Sequence, residues 1–110
     1  MKAKGADAPA RRLRGNLTER IASLSLDEFR RHLPYALRGL NYRWLGDRVV
    51  EVEAAGGTVT ITVEDLPPLE LSGVLSLPRL RVGFAFSSDD PAARAAFLAT
   101  YDRAFQRGGG

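Results

Sequence analysis

The sequence predicts an α+β fold: an antiparallel sheet of four to five strands, with N- and C-terminal helices packed on one of its faces. Three observations predict it. From Val49 to Phe86, apolar and polar residues alternate in several short runs, the period of half-buried strands. On either side of that region the apolar residues recur every three or four positions, the period of a helix. Gly, Pro and Asp residues separate the runs, and each of these residue types favours a turn for its own steric reason.

Residues 1–15, MKAKGADAPARRLRG, show no periodicity and are expected to form a mobile basic arm ahead of a single α+β domain over 16–110. Asn16 with Glu19 has the spacing of a capping box, and Leu17, Ile21 and Leu24 can share a face, so a short helix over 17–23 is expected. A stronger start follows at Ser25, with Glu28 three residues on. Leu26, Phe29, Leu33 and Leu37 then make one apolar stripe. Pro34 lies inside that stripe and is expected to kink or split the helix, and Gly39 to stop it.

Tyr42 to Leu45 reads as a short strand, with a turn at Gly46-Asp47. In 49–54, Val50, Val52 and Ala54 alternate with Glu51 and Glu53, and Ala55-Gly56-Gly57 is a hairpin signal. In 58–64, Val59, Ile61 and Val63 alternate with threonines and Glu64, a β-branched run with one apolar and one polar face. The prolines of 65–68 are expected to break that strand, since proline cannot donate to a ladder. A weaker strand is expected from Leu69 toward Leu75, a second break at Pro78, and a last strand over 80–86. Asp90-Pro91 then opens a helix, because Asp is a good N-cap and Pro suits the first helical position. Ala93, Phe97, Tyr101 and Phe105 follow at four-residue spacing. These rings should pack on Val59, Ile61, Val63, Val82, Phe84 and Phe86, giving a two-layer sandwich whose other sheet face is polar throughout.

Composition narrows the chemistry. The 110 residues include no cysteine and one histidine, His32, which excludes thiolate sites and zinc sites built on several histidines. No apolar run approaches the roughly 18 residues of a membrane span, and no apolar core follows the N-terminal lysines as in a secretory signal. A cytoplasmic protein without membrane contact, monomeric or homodimeric, is therefore expected. The net charge of +3 is unevenly placed: residues 1–48 hold 11 basic and 5 acidic side chains, residues 49–110 hold 5 and 8.

No constellation of nucleophile, base and orienting group is present at diagnostic spacing, so an enzymatic role is not expected, and no cofactor is implied. The first functional expectation is a small binding or accessory domain engaging a protein partner through Tyr42, Trp44 and Tyr35, since aromatics are enriched at interface centres. The alternative is a nucleic-acid-binding accessory domain. Arg11, Arg12 and Arg14 of the arm, with Arg30 and Arg31 of the first helix, would then engage phosphates by counterion release. No aromatic is interleaved with the arm's charges, so no base-stacking platform accompanies them. A third possibility is a metal-binding or enzymatic use of Glu51, Glu53, Glu64 and Glu70 on the polar sheet face. The tail Arg107-Gly108-Gly109-Gly110 ends like a ubiquitin-like sulfur carrier, but its glycines follow a helix instead of a strand.

Two resemblances add to this reading. The helix–sheet–helix order, with GGTVTITVEDLPPLELSG at 56–73, resembles the frataxin-type sandwich and implies that fold. Frataxins bind iron on an acidic first helix; here that helix reads LDEFRRHLPYALRG and is basic, so iron delivery is not implied. The ending FLATYDRAFQRGGG resembles a family of small proteobacterial proteins and implies no activity.

Overall fold

The computed structural model describes residues 17–107. The expected basic arm, with Arg11, Arg12 and Arg14, the Asn16 cap and the three terminal glycines lie outside the described residues. The elements run in the order β1 (Leu17–Ala22), α1 (Leu26–Ala36), β2 (Asn41–Trp44), β3 (Val49–Ala54), β4 (Gly57–Glu70), β5 (Ser76–Phe86) and α2 (Pro91–Arg107). The five strands form one antiparallel sheet in the order β1-β5-β4-β3-β2. Consecutive strands β2 to β5 make a meander, and β1 adds to the far edge beside β5.

The first element corrects the sequence reading: residues 17–22 are a strand, not a helix. The reason is visible in the register. Thr18, Arg20 and Ala22 stand opposite Phe84, Val82 and Leu80, on the face that the helices cover. Ile21 stands opposite Arg81 on the other face and is 56% exposed. The usual strand pattern is inverted here, so periodicity pointed to a helix. Pairing with the open edge of β5 satisfies six residues of backbone that a marginal helix would leave at its ends.

Helix α1 starts as its sequence dictates. The Glu28 amide donates to the Ser25 hydroxyl at 3.2 Å, and the Ser25 amide donates to the Glu28 carboxylate at 2.8 Å. The bond from the Ser25 amide, and then that with its hydroxyl, holds the Glu28 carboxyl below the usual carboxylate range. Pro34 neither splits nor ends α1; the helix runs through it to Ala36. So near the C-terminus its missing N–H costs little of the ladder. Gly39 takes a left-handed φ of 83° just beyond the cap. At the start of α2 the Asp90 carboxylate accepts from the amides of Ala92 and Ala93.

The β3–β4 hairpin turns on Ala55 and Gly56, both at positive φ (58° and 76°), as a two-residue turn matched to strand twist requires. Gly57 is fixed differently. A Cβ there would press on the Ser87 side chain, whose hydroxyl accepts from the Thr58 amide at 2.8 Å.

Strands β4 and β5 are longer than the prolines suggested. Pro67 and Pro68 do not break β4, and Pro78 does not break β5. Leu66 pairs with Arg79 and Leu69 with Leu77, so β4 carries one extra residue between these pairs, a bulge that absorbs the prolines. Arg79 Nε donates to the Pro67 carbonyl at 3.1 Å and braces it.

The core lies between the sheet and the two helices. Val50, Val52, Val59, Ile61, Val63, Leu80, Val82, Phe84 and Phe86 of the sheet meet Phe29, Leu33 and Leu37 of the α1 segment and Phe97, Tyr101 and Phe105 of α2, as the periodicity predicted. Phe97 packs edge-on against Phe84 and Phe86, with centroids 6.2 and 6.0 Å away. Phe97→Ala should therefore lower stability by about 3–5 kcal/mol, the range for a buried aromatic. Thr60→Ala, on the opposite face, should cost well under half as much. Thermal melts of the two variants check this; equal losses would mean that the open face is covered as well.

Candidate protein-docking face and interhelical groove

The open face of the sheet is not polar throughout. Near its middle it is: Asn41 donates to Glu53, Arg43 pairs with Glu51 at 3.2 Å, and Arg81 pairs with Glu64 at 2.9 Å. Beyond Glu64 and Arg81 its character changes. The neighbouring strands end there, β3 at the Val49–Thr62 pair and β1 at the Ala22–Leu80 pair. From about residue 65 to 79 the β4–β5 hairpin continues as a two-stranded arm whose backbone, among the described residues, pairs only with itself.

Register places the arm's side chains. Residues opposite one another in an antiparallel pair share a face, and Arg81 with Glu64 marks the open one. Two steps along β5 from Arg81 come Arg79, Leu77 and then Leu75 at the tip. Across from them are Leu66, Leu69 and, beyond the bulge, Leu71. Five leucines thus lie on the open side of the arm. Leu69, Leu71 and Leu75 are 41%, 52% and 53% exposed, and Val74 at the turn is 98% exposed. Ile21 stands on the same face beside Arg81. Exposed apolar side chains gathered on one face are the kind of surface that marks interaction sites. The leucines were visible in the sequence. Reading each proline as a strand break divided them between separate elements.

The arm's two edges are poor templates for another strand. Pro67, Pro68 and Pro78 remove backbone donors from them. Contact through the leucine face remains.

The aromatics singled out from the sequence do not form one patch. Tyr42 and Trp44 stand opposite Val52 and Val50 on the helix side of the edge strand β2. Trp44 is half-buried against the core, and the Arg30 guanidinium lies over its ring at 4.5 Å. Tyr35 is exposed on α1 and belongs to another hollow. Of the phosphate candidates, Arg30 also donates to the Asp47 carbonyl at 2.8 Å, and Arg31 lines a shallow hollow with Asp27 and Arg30. On the acidic side, Arg48 holds Asp65 at 2.9 Å. No group of three or more His, Asp or Glu side chains among the described residues is arranged to hold a metal ion.

A groove runs between the helices. Its polar part, about 450 Å³, is lined by His32, Tyr35, Arg38, Thr100 and Arg103 above Ala36 and Ala104. His32 Nε2 lies 2.9 Å from the Ala104 carbonyl, which can only accept. Nε2 therefore carries the proton and donates. The His32 ring also packs edge-on against Phe105 at 4.9 Å. The histidine is a strut between the two helices.

Strand β1 is tied to α2 by Arg20, whose Nε and Nη2 donate to the two oxygens of Asp102 at 3.0 and 3.1 Å. Beside this pair, burial first and the Asp102 carboxylate second push the Tyr101 phenol well above its ordinary range, against the opposing pull of Arg20.

No protein-family model matches the chain, and no curated protein or solved structure matches it. No helix among the described residues is long and apolar enough to cross a membrane.

The Tyr101 shift fixes a pH dependence. The folded chain holds the phenolic proton more tightly than the unfolded chain, where it leaves near pH 10. The associated stability is complete below that pH and is lost as pH rises above it. Tyr101→Phe should melt close to the parent at pH 7 and decline less steeply above about pH 10. Parallel melts between neutral and alkaline pH measure this, and identical alkaline slopes would refute it.

Proposed function

We propose that this protein is a non-enzymatic binding domain that engages a protein partner through the leucine face of its projecting hairpin. One observation supports this above the others: the arm keeps Leu69, Leu71, Val74 and Leu75 exposed, and among the described residues no other strand pairs with it. An isolated two-stranded ribbon is marginal in water. A partner that covers the leucines would hold the arm as well as gain its area. Arg79, Arg81, Glu64 and Glu19 stand at the base of the same face. A rim of both signs suits a protein surface better than a polyanion.

Nucleic-acid binding draws less support. Arg30 is already committed to Trp44 and Asp47, which leaves Arg31 as the described member of that set. Tyr42 and Trp44 draw less support as the contact surface too, because the exposed apolar area lies on the arm.

A photo-crosslinking side chain at Leu75 in the full chain tests the reading. It should give an adduct with one defined protein. Leu71→Glu, made in the same chain, should reduce the adduct at least tenfold while leaving the melting curve nearly unchanged. Trp44→Ala should leave the adduct in place. Loss of the adduct with Trp44→Ala and its survival with Leu71→Glu would move the contact to the β2 edge and overturn the proposal.

A further inference from the structure

The interhelical groove presents cations on one side and apolar surface on the other. Its polar part faces Arg38 from the end of α1 and Arg103 from α2. No Asp or Glu among the described residues lines it. Five other arginines, Arg20, Arg30, Arg43, Arg48 and Arg81, are each paired with a carboxylate. The Arg38 guanidinium makes no hydrogen bond or ion pair among the described residues, and that of Arg103 donates only to the Thr100 hydroxyl, at 3.4 Å. A cation beyond the last turn of α1 is favourable there by helix polarity alone. That does not account for a second guanidinium directed into the same hollow from the other helix.

The groove continues into a second hollow of about 440 Å³ that shares Ala36, Arg38 and Thr100 with the first. Its other walls are apolar: Leu40, Ala54, Ala55, Ala93, Ala96 and Phe97. Cavities of this size, mostly apolar with a few convergent polar groups, are those that small ligands occupy.

We infer that this groove binds a small amphiphilic carboxylate. The head group sits between Arg38 and Arg103, whose planar guanidinium forks match carboxylate geometry. The Thr100 hydroxyl lies beside it. The hydrocarbon tail lies along the alanines and Phe97 toward the β3–β4 turn. His32 stays out of the head-group contact, since its Nε2 is committed to the Ala104 carbonyl and holds the wall in place. The site is independent of the leucine face, which lies on the opposite side of the sheet.

Calorimetric titration of the full chain with decanoate, below its micellar concentration, tests the inference. Decanoate should bind, with decanol and acetate each at least tenfold weaker, because one lacks the charge and the other the tail. In the Arg38→Gln/Arg103→Gln variant the preference for decanoate over decanol should vanish. Both residues are exposed, so the variant should fold, and its melting curve confirms that. Ala96→Leu, which fills the apolar hollow, should weaken decanoate at least tenfold. Equal binding of decanoate and decanol by the parent, no binding of decanoate, or an unchanged preference in the double variant would overturn the inference. So would loss of decanoate binding with Leu71→Glu, which would place the ligand on the arm; that variant otherwise separates this site from the docking reading.

Discussion

The structure depends on α2 acting as a wedge of rings. Phe97, Tyr101 and Phe105 fall one turn apart on a single face, and together they reach both the sheet and α1. Phe97 meets Phe84 and Phe86 of β5, Tyr101 meets Phe84 at 4.7 Å, and Phe105 stacks on Phe29 of α1 at 5.4 Å. Tyr101 and Phe105 also stack on each other at 4.4 Å. The sheet, α2 and α1 are thus joined through one continuous set of aromatic contacts. Helix α1 reaches the core through Phe29, Leu33 and Leu37, and its placement follows from where Phe105 stops. Hydrophobic burial supplies most of the driving force, and the ring geometry makes the arrangement specific.

The groove follows from the same wedge. The helices run antiparallel, and they are fastened at one end, by Phe29 on Phe105 and by His32 on the Ala104 carbonyl. Toward the other end α2 turns Ala96 and Thr100 to the gap, and α1 offers Ala36. Side chains of that size cannot fill the distance that the aromatic end sets. A hollow therefore opens where α1 gives way to Arg38. The rings face the sheet and the small residues face the groove, and both sets come from one helical period.

Much of this was legible in the sequence because local and tertiary preferences agreed there. Ser25 with Glu28, Asp90 with Pro91, the 49–64 alternation and the Phe97/Tyr101/Phe105 spacing all read directly as what they form. Where the reading failed, tertiary contacts outweighed local pattern. Strand β1 turns Arg20 inward because Asp102 on α2 is there to receive it, a pairing 82 residues away that no window of sequence contains. The prolines of β4 sit beside a bulge that a single strand cannot reveal. The candidate sites were the least legible. The leucine face needs the bulge to bring Leu66 and Leu69 into line, and the groove needs helix packing to bring Arg38 and Arg103 to one hollow. The Ala93/Ala96/Thr100/Ala104 spacing on α2 was a usable signal for the groove, but it means little until the facing helix is known.

A domain of this size has only about 5–15 kcal/mol of stability, so its features compete. Placing five leucines on an arm outside the core forgoes burial that a shorter hairpin would not need. The strands could have ended just beyond Val63 and Leu80, the outermost residues of the hairpin that the core buries, with no loss to the core. Their extension therefore serves nothing that the folded monomer requires. The same holds for two arginines that line one hollow, since neither has a carboxylate partner among the described residues. Stability explains the wedge, the caps and the Arg20–Asp102 tie. It does not explain the arm or the groove, and that residue of unexplained structure is where binding is most economically placed.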